Sequence, residues 1–266
     1  MTTIDQLFTD LRAAGKKAFM PFITAGDPNL EFTRQLLLEL QQRGCHMCEL
    51  GIPYSDPIAD GPVIQASYTR ALDQKTKLNQ ILGMLEAAAP KLTMPVLTMV
   101  SYAIIYRRGL NEYVDAVKRA GVSGLIVPDL PVEESEKLAG ICRAAEISLV
   151  QLITPTTSRP RQRRIAETST GFIYYVSVVG ITGERTKLPV ELVDHVGWLR
   201  EQTELPICIG FGISQPEHVR QLAPVADGLI VGSAIVRRVA ECDHKPPQQV
   251  LDEIGAYAQS LLDALA

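Results

Sequence analysis

Five cysteines in 266 residues are too few and too scattered to frame the fold with disulfides. Cys45 and Cys48 do form a Cys-x-x-Cys pair. No second pair accompanies it, and it straddles a helix-to-strand junction at Gly44 instead of opening a helix, so neither a zinc site nor a redox site is expected there. Basic charge is also short. The net charge is −4 and no basic run occurs, which argues against nucleic acid as a partner. The local cluster Arg159, Arg161, Arg163 and Arg164 reads as a solvated helix face. Long apolar runs are missing: none approaches the roughly twenty residues of a membrane span. Thr2 to Asp10 lacks the charged and then hydrophobic pattern of a signal peptide. No membrane partner and a cytoplasmic location are the resulting expectations. Linkers and low-complexity segments are absent too, and single α/β barrels run to about 250 residues. One domain spanning residues 1–266 is therefore expected.

What the chain does have is a regular alternation of helical periodicity with short apolar strands. A leading amphipathic helix over 4–14 is stopped by Gly15. Strands are expected over 18–23, 47–50, 95–100, 124–127, 148–153, 172–176, 206–209 and 228–231. Helices are expected over 30–44, 63–72, 78–89, 111–120, 135–145, 161–167, 190–201 and 216–222, with another opening at Ser233. A polar, proline-containing break over 243–249 precedes a final helix over 250–265. Eight short apolar strands, each followed by a helix, indicate an all-parallel sheet, and eight is the number that closes as a (β/α)8 TIM barrel. The extra N-terminal helix would cover the barrel's open bottom.

The most constrained stretch runs from Cys48 to Pro62, where acids crowd together with prolines and glycines. Period-two alternation puts Met47 and Glu49 on one strand face and His46, Cys48 and Leu50 on the other. If the first face is buried, desolvation raises the pKa of Glu49 toward neutrality, which suits a group that must both give and take a proton. Gly51 and Pro53 end the strand, and the loop beyond carries Asp56 and Asp60 with its turns fixed by Pro57, Gly61 and Pro62. Two carboxylates placed this way can face one cavity.

Active sites of such barrels lie at the carboxyl ends of the strands, and phosphate often sits in the loops after strands seven and eight. Gly210, Phe211 and Gly212 follow strand seven, and Gly232 and Ser233 follow strand eight at a helix start. Glycines let backbone N–H groups approach phosphate oxygens, aided by the helix end. With no Lys or Arg in either loop, the anion is expected to be held mainly by backbone amides. The glycine-flanked loop from Gly180 to Thr186 fits a mobile lid. Phe22, Tyr174 and Phe211 are placed to grip a flat apolar substrate, whereas strand phase alone does not choose among Leu97, Val100, Leu125, Val127 and Ile209 as further lining.

The stretch Glu49-Leu-Gly-Ile-Pro-Tyr-Ser-Asp-Pro-Ile-Ala-Asp-Gly-Pro-Val-Ile-Gln65 closely resembles the signature of the tryptophan synthase alpha subunit family. The resemblance continues in Pro21 to Pro28, Pro128 to Pro131, Gly210 to Ile213 and Gly232 to Ala234. It implies retro-aldol cleavage of indole-3-glycerol phosphate to indole and glyceraldehyde 3-phosphate. Glu49 would be general acid and base, and Asp60 would accept the indole N–H and stabilise the positive charge developing there. Tyr174 matches the family's active-site tyrosine, and Thr182 and Gly183 its closing loop. Gly183, Gly210, Phe211, Gly212, Gly232 and Ser233 match its phosphate pocket. The resemblance implies no metal or cofactor in this subunit, and a pyridoxal-phosphate beta subunit as partner in an alpha-beta-beta-alpha tetramer. Asp56, Pro57, Pro128, Asp129 and Pro131 would face that partner, with Asp56 linked to Thr182 of the lid. The chain departs from the family's usual Asn-Pro pair between Val100 and Tyr106, where Tyr102 would shape the pocket. A phosphate-binding epimerase or isomerase would use an acid and base on other strands, and a non-catalytic binding subunit would have no use for both Glu49 and Asp60.

Overall fold

The computed structural model describes residues 2–57, 60–177, 190–210 and 212–265. Its eight strands are β1 Ala18–Thr24, β2 Cys48–Gly51, β3 Val96–Met99, β4 Gly124–Ile126, β5 Ser148–Ile153, β6 Ile173–Val176, β7 Ile207–Gly210 and β8 Gly228–Val231. Each pairs in parallel with its sequence neighbour, and β8 closes on β1 through Ala18 opposite Gly228.

Period two sorts every strand into an inward and an outward set. Ala18 and Met20, Met47, Leu97, Ile126, Val150, Phe172 and Tyr174, Cys208 and Ile230 pack inside the barrel. Phe19 and Ile23, Cys48 and Leu50, Val96, Leu125, Leu149, Ile173 and Tyr175, Ile207 and Ile209, and Leu229 and Val231 pack outward with the helices. This places Glu49, between Cys48 and Leu50 in the chain, on the inner face with Met47, as the alternation predicts. It also settles the open lining residues: Leu97 points inward, while Val100, Leu125, Val127 and Ile209 belong to the layer under the helices.

The N-terminal helix Thr3–Ala13 plugs the lower end of the barrel. Its Thr2 cap and Asp5 exchange hydrogen bonds of 3.2 and 2.8 Å. Ile4, Phe8 and Leu11 are buried against the interior set, with the Phe8 and Phe172 rings 5.8 Å apart. Burying each such side chain contributes about 1.5–3 kcal/mol.

Most of the expected elements begin and end within two residues of the expectation, and two differences are larger. A helix at Tyr102–Arg108 precedes Leu110–Arg119; at seven residues it is too short to show a helical period, and Gly109 at φ +94° separates the two. The expected break over 243–249 is partly helical, because Pro247 sits in the first turn of Pro247–Asp263, where a missing N–H costs nothing. The arginine cluster is not merely solvated: Arg159 and Arg163 lie over Trp198, at 5.0 and 5.6 Å, and Arg161 pairs with Glu133. Cys45 and Cys48 are buried free thiols whose pKa values burial drives upward, that of Cys45 to about 12. Neither is a ready thiolate.

Candidate active site

The carboxyl ends of the strands surround a cavity of about 400 Å³ lined by Phe22, Glu49, Asp60, Ile64, Met99, Tyr174, Gly212, Gly232, Ser233 and Arg237, among others. Phe22 of β1 is the register partner of Glu49 of β2. Glu49 is 1% exposed, and neither of its carboxyl oxygens has a hydrogen-bond partner among the described residues. Burial first, and then the negative charge of Asp60, push its pKa up to about 8. Such a group holds its proton at neutral pH and yet can release it.

Asp60 sits at the end of the loop that follows β2. Its N–H donates to the Pro57 carbonyl at 3.1 Å, and the Gln65 side-chain amide donates to the Asp60 carbonyl at 2.8 Å. Gln65 belongs to the helix Pro62–Asp73, which starts sharply because Pro62 occupies its first turn. That helix is anchored in turn to β1. The Thr24 and Ser67 hydroxyls meet at 2.6 Å in a buried contact. The Arg70 guanidinium donates twice to the Asp27 carboxylate, at 2.9 and 2.7 Å. Burial raises the Asp27 pKa even though Arg70 pulls it down. Sequence reasoning missed this anchor, because no local pattern marks a pairing across 43 residues of chain. Burial pushes the Asp60 carboxyl up to about 6, so it is largely ionised at neutral pH where Glu49 is not. The two environments give the two carboxyls different pKa values.

Tyr174 stands inward from β6, its phenol held well above its ordinary value by burial and then by Glu49 and Asp60. Gly210 does not line the cavity. It makes room for Tyr174 instead, since a Cβ there would lie 2.6 Å from the tyrosine oxygen. Gly212 adopts φ +75°, the left-handed region where glycine alone is unstrained. Gly232 and Ser233 face it from the end of β8. Tyr102 stands apart from this cavity, opening its own helix with its N–H on Asp129 at 2.7 Å. Thr182, Gly183 and Phe211, and with them the expected lid and the Asp56–Thr182 link, lie outside the described residues.

Beside the main cavity a smaller one of about 40 Å³ is lined by Asp56, Pro57, Pro128 and Asp129, and shares Asp60 and Met99 with it. Pro131 is exposed and lines a neighbouring pocket that shares Pro128 and Asp129 with this one. Arg237, which the sequence expectation omitted, lines the main cavity; it lies beyond the glycine loop, one turn into the Ser233–Val239 helix. Among the described residues no cluster of His, Cys, Asp and Glu is arranged to hold a metal ion. No helix among them is long and apolar enough to cross a membrane.

A closed parallel barrel with two raised-pKa carboxyls facing one cavity at the carboxyl ends of its strands has the architecture of a (β/α)8 enzyme. The family model for the tryptophan synthase alpha chain matches residues 8–266. A tryptophan synthase alpha chain from Rhodopirellula baltica is 58% identical, covering 100% of this chain and 99% of that one. The Arabidopsis thaliana alpha chain is 45% identical, covering 98% and 95%. Among solved structures, tryptophan synthase subunit alpha from Legionella pneumophila str. Paris superposes with a TM-score of 0.91 at 35% identity, covering 100% of this chain and 98% of that one. The chain belongs to the tryptophan synthase alpha chain family, lyases that cleave indole-3-glycerol phosphate.

Proposed function

We propose that Glu49 and Asp60 divide the chemistry of this cleavage between them. The observation that carries the reading is Glu49 itself: a buried carboxyl with both oxygens unpartnered among the described residues, its pKa raised to about 8, facing a cavity that Asp60 shares. Protonated Glu49 gives its proton to C3 of the indole ring, which leaves positive charge on the ring nitrogen. The ionised Asp60 accepts the ring N–H and stabilises that charge. Glu49, now a carboxylate, removes the proton from the hydroxyl on the glycerol carbon attached to C3. The O–H electron pair becomes the second bond of the aldehyde, and the C–C pair returns to the ring. Indole and glyceraldehyde 3-phosphate are released, and Glu49 ends with the proton it began with. No step needs a metal or an organic cofactor.

Phe22 and Tyr174 frame the ring, and Gly212, Gly232 and Ser233 offer backbone N–H groups to the phosphate. Gly183 and Phe211 are assigned to the same pocket, and Thr182 to its lid. The partner in this reading is a pyridoxal-phosphate beta subunit that receives indole within an alpha-beta-beta-alpha assembly in the cytoplasm. What supports a docking face is its pre-ordering. The Asp129 carboxylate accepts from the Ser101 hydroxyl and the Tyr102 N–H, both at 2.7 Å, which ties the loop after β4 to the helix after β3. Tyr106, 70% exposed, projects from that helix. Stiff loops lose little entropy on docking. The whole reading is tested by measuring indole release from indole-3-glycerol phosphate with and without a beta subunit. No release in either condition overturns it.

A further inference from the structure

Arg237 lies near enough to Tyr257 for its charge to act on that phenol, yet its guanidinium is held by no hydrogen bond or ion pair among the described residues. It lies in the second turn of the seven-residue helix Ser233–Val239 and lines the main cavity. Ser233 and Arg237 are four residues apart, so they share one helix face with Cβ atoms about 5–6 Å apart. Arg237 is exposed and makes no hydrogen bond or ion pair with another described residue. Its neighbour Arg238 is the opposite case. That guanidinium stacks on Tyr257 at 3.4 Å and donates to the Ala234 carbonyl at 2.7 Å. Tyr257 in turn donates its hydroxyl to the Ser214 carbonyl at 3.0 Å. Arg238 and Tyr257 thus fix the helix against the loop after β7 and keep the face bearing Ser233 and Arg237 turned to the cavity. Arg237 is the only cationic group among the described residues lining that cavity, whose ionisable carboxyls, Glu49 and Asp60, lie together on the β2 side.

We infer that Arg237 is a binding residue for the substrate's phosphate monoester, supplying the full positive charge that the glycine loops lack. This deepens the function proposed above and rests on it. A helix of seven residues has only a weak dipole to offer, and backbone amides are neutral donors, whereas a dianion brought from water into a half-enclosed cavity gains most from a nearby guanidinium. The placement also orients the substrate. Arg237 draws the phosphate to one end and leaves the ring and its reacting carbon toward Glu49 and Asp60.

The test compares the full-length wild type with Arg237→Gln and Arg237→Lys. Glycerol 3-phosphate serves as a phosphate probe in calorimetry, and indole as a neutral probe. For Arg237→Gln, Kd for glycerol 3-phosphate and KM for indole-3-glycerol phosphate should rise about tenfold or more, with the loss in KM and not in kcat. Indole binding should be unchanged, and Arg237→Lys should recover most of the loss. Raising ionic strength should weaken glycerol 3-phosphate binding to wild type more than to Arg237→Gln. Unchanged probe affinity in Arg237→Gln, equal weakening of indole and glycerol 3-phosphate, or the same salt dependence in both proteins would each overturn the inference. The wild-type salt dependence is decisive even if a variant folds poorly, because binding that is indifferent to ionic strength overturns the inference by itself. If wild type binds glycerol 3-phosphate but releases no indole, the proposed reaction fails while the Arg237 comparison still decides the anion site.

Discussion

Phe22 and Glu49 stand opposite one another in the register of β1 and β2, so an apolar ring is built in beside a buried carboxyl that has no hydrogen-bond partner among the described residues. Burial, and then the negative charge of Asp60, keep the proton on Glu49, and Phe22 offers neither a hydrogen bond nor a cation to offset them. Glu49→Gln keeps the shape and removes the proton chemistry, and general acid–base catalysis is worth about 10² to 10⁴ in rate. Turnover should fall by that factor while glycerol 3-phosphate still binds. Indole release at half the wild-type rate would remove Glu49 from the chemistry.

The same burial sets the pH profile. Activity requires protonated Glu49, so kcat/KM should fall as pH rises through about 8. It also requires ionised Asp60, so activity should fall as pH drops through about 6. The second ionisation of a phosphate monoester lies near 6 as well, which makes the alkaline limb the diagnostic one. A kcat/KM that stays flat from about pH 7 to about pH 10 contradicts the assignment.

Stability carries a related signature. The Glu49 pKa is raised from 4.5 unfolded to about 8 folded, so between those values the native state binds more protons than the unfolded one. The stabilisation from this proton is fully present below pH 4.5 and is lost as pH rises through about 8. Glu49→Gln has no such proton to lose. Urea denaturation should show it gaining stability relative to wild type as pH is raised from about 5 to about 9, by a few kcal/mol at most. A difference independent of pH would mean that the carboxyl is solvated in the folded protein.

The barrel, its strand count and the inward aim of Glu49 were legible because each rests on period-two alternation inside short apolar runs. Asp60 was legible from its prolines and glycines. The anchor below it was not: Thr24, Asp27, Ser67 and Arg70 meet across 43 residues of chain, and nothing local marks their pairing. Gly210 has the sequence setting of a phosphate contact, yet the space it leaves is filled by Tyr174, a relation between two strands that neither states alone. Arg237 escaped because it is not in the loop, whereas a helix returns to the same face one turn later.

The Asp27–Arg70 pair gives that anchor a measurable cost. Arg70→Met strands a carboxyl that is 3% exposed; breaking a fully buried pair costs about 3–5 kcal/mol, and with the Arg70 side chain 28% exposed the loss should fall at or below the lower end of that range. The double change Asp27→Asn with Arg70→Met should recover part of this. Because Pro62–Asp73 also holds the Asp60 loop through Gln65, the single variant should lose kcat as well. A destabilisation under about 1 kcal/mol, read from urea midpoints, would show that the pair contributes no more than a solvent-exposed one.

Gly212 is where backbone and charge requirements coincide. At φ +75° any other residue is strained, by about 1–2 kcal/mol, and Asp and Asn tolerate this region better than most. Gly212→Asn therefore measures the effect of a side chain in the cavity, and Gly212→Asp adds a negative charge to nearly the same shape. If phosphate lies between Gly212, Ser233 and Arg237, the carboxylate repels it and also offsets the Arg237 guanidinium. KM for indole-3-glycerol phosphate should then rise at least about tenfold more in Gly212→Asp than in Gly212→Asn, while the affinity for indole stays equal in the two. Equal KM values would place the phosphate away from this end of the barrel.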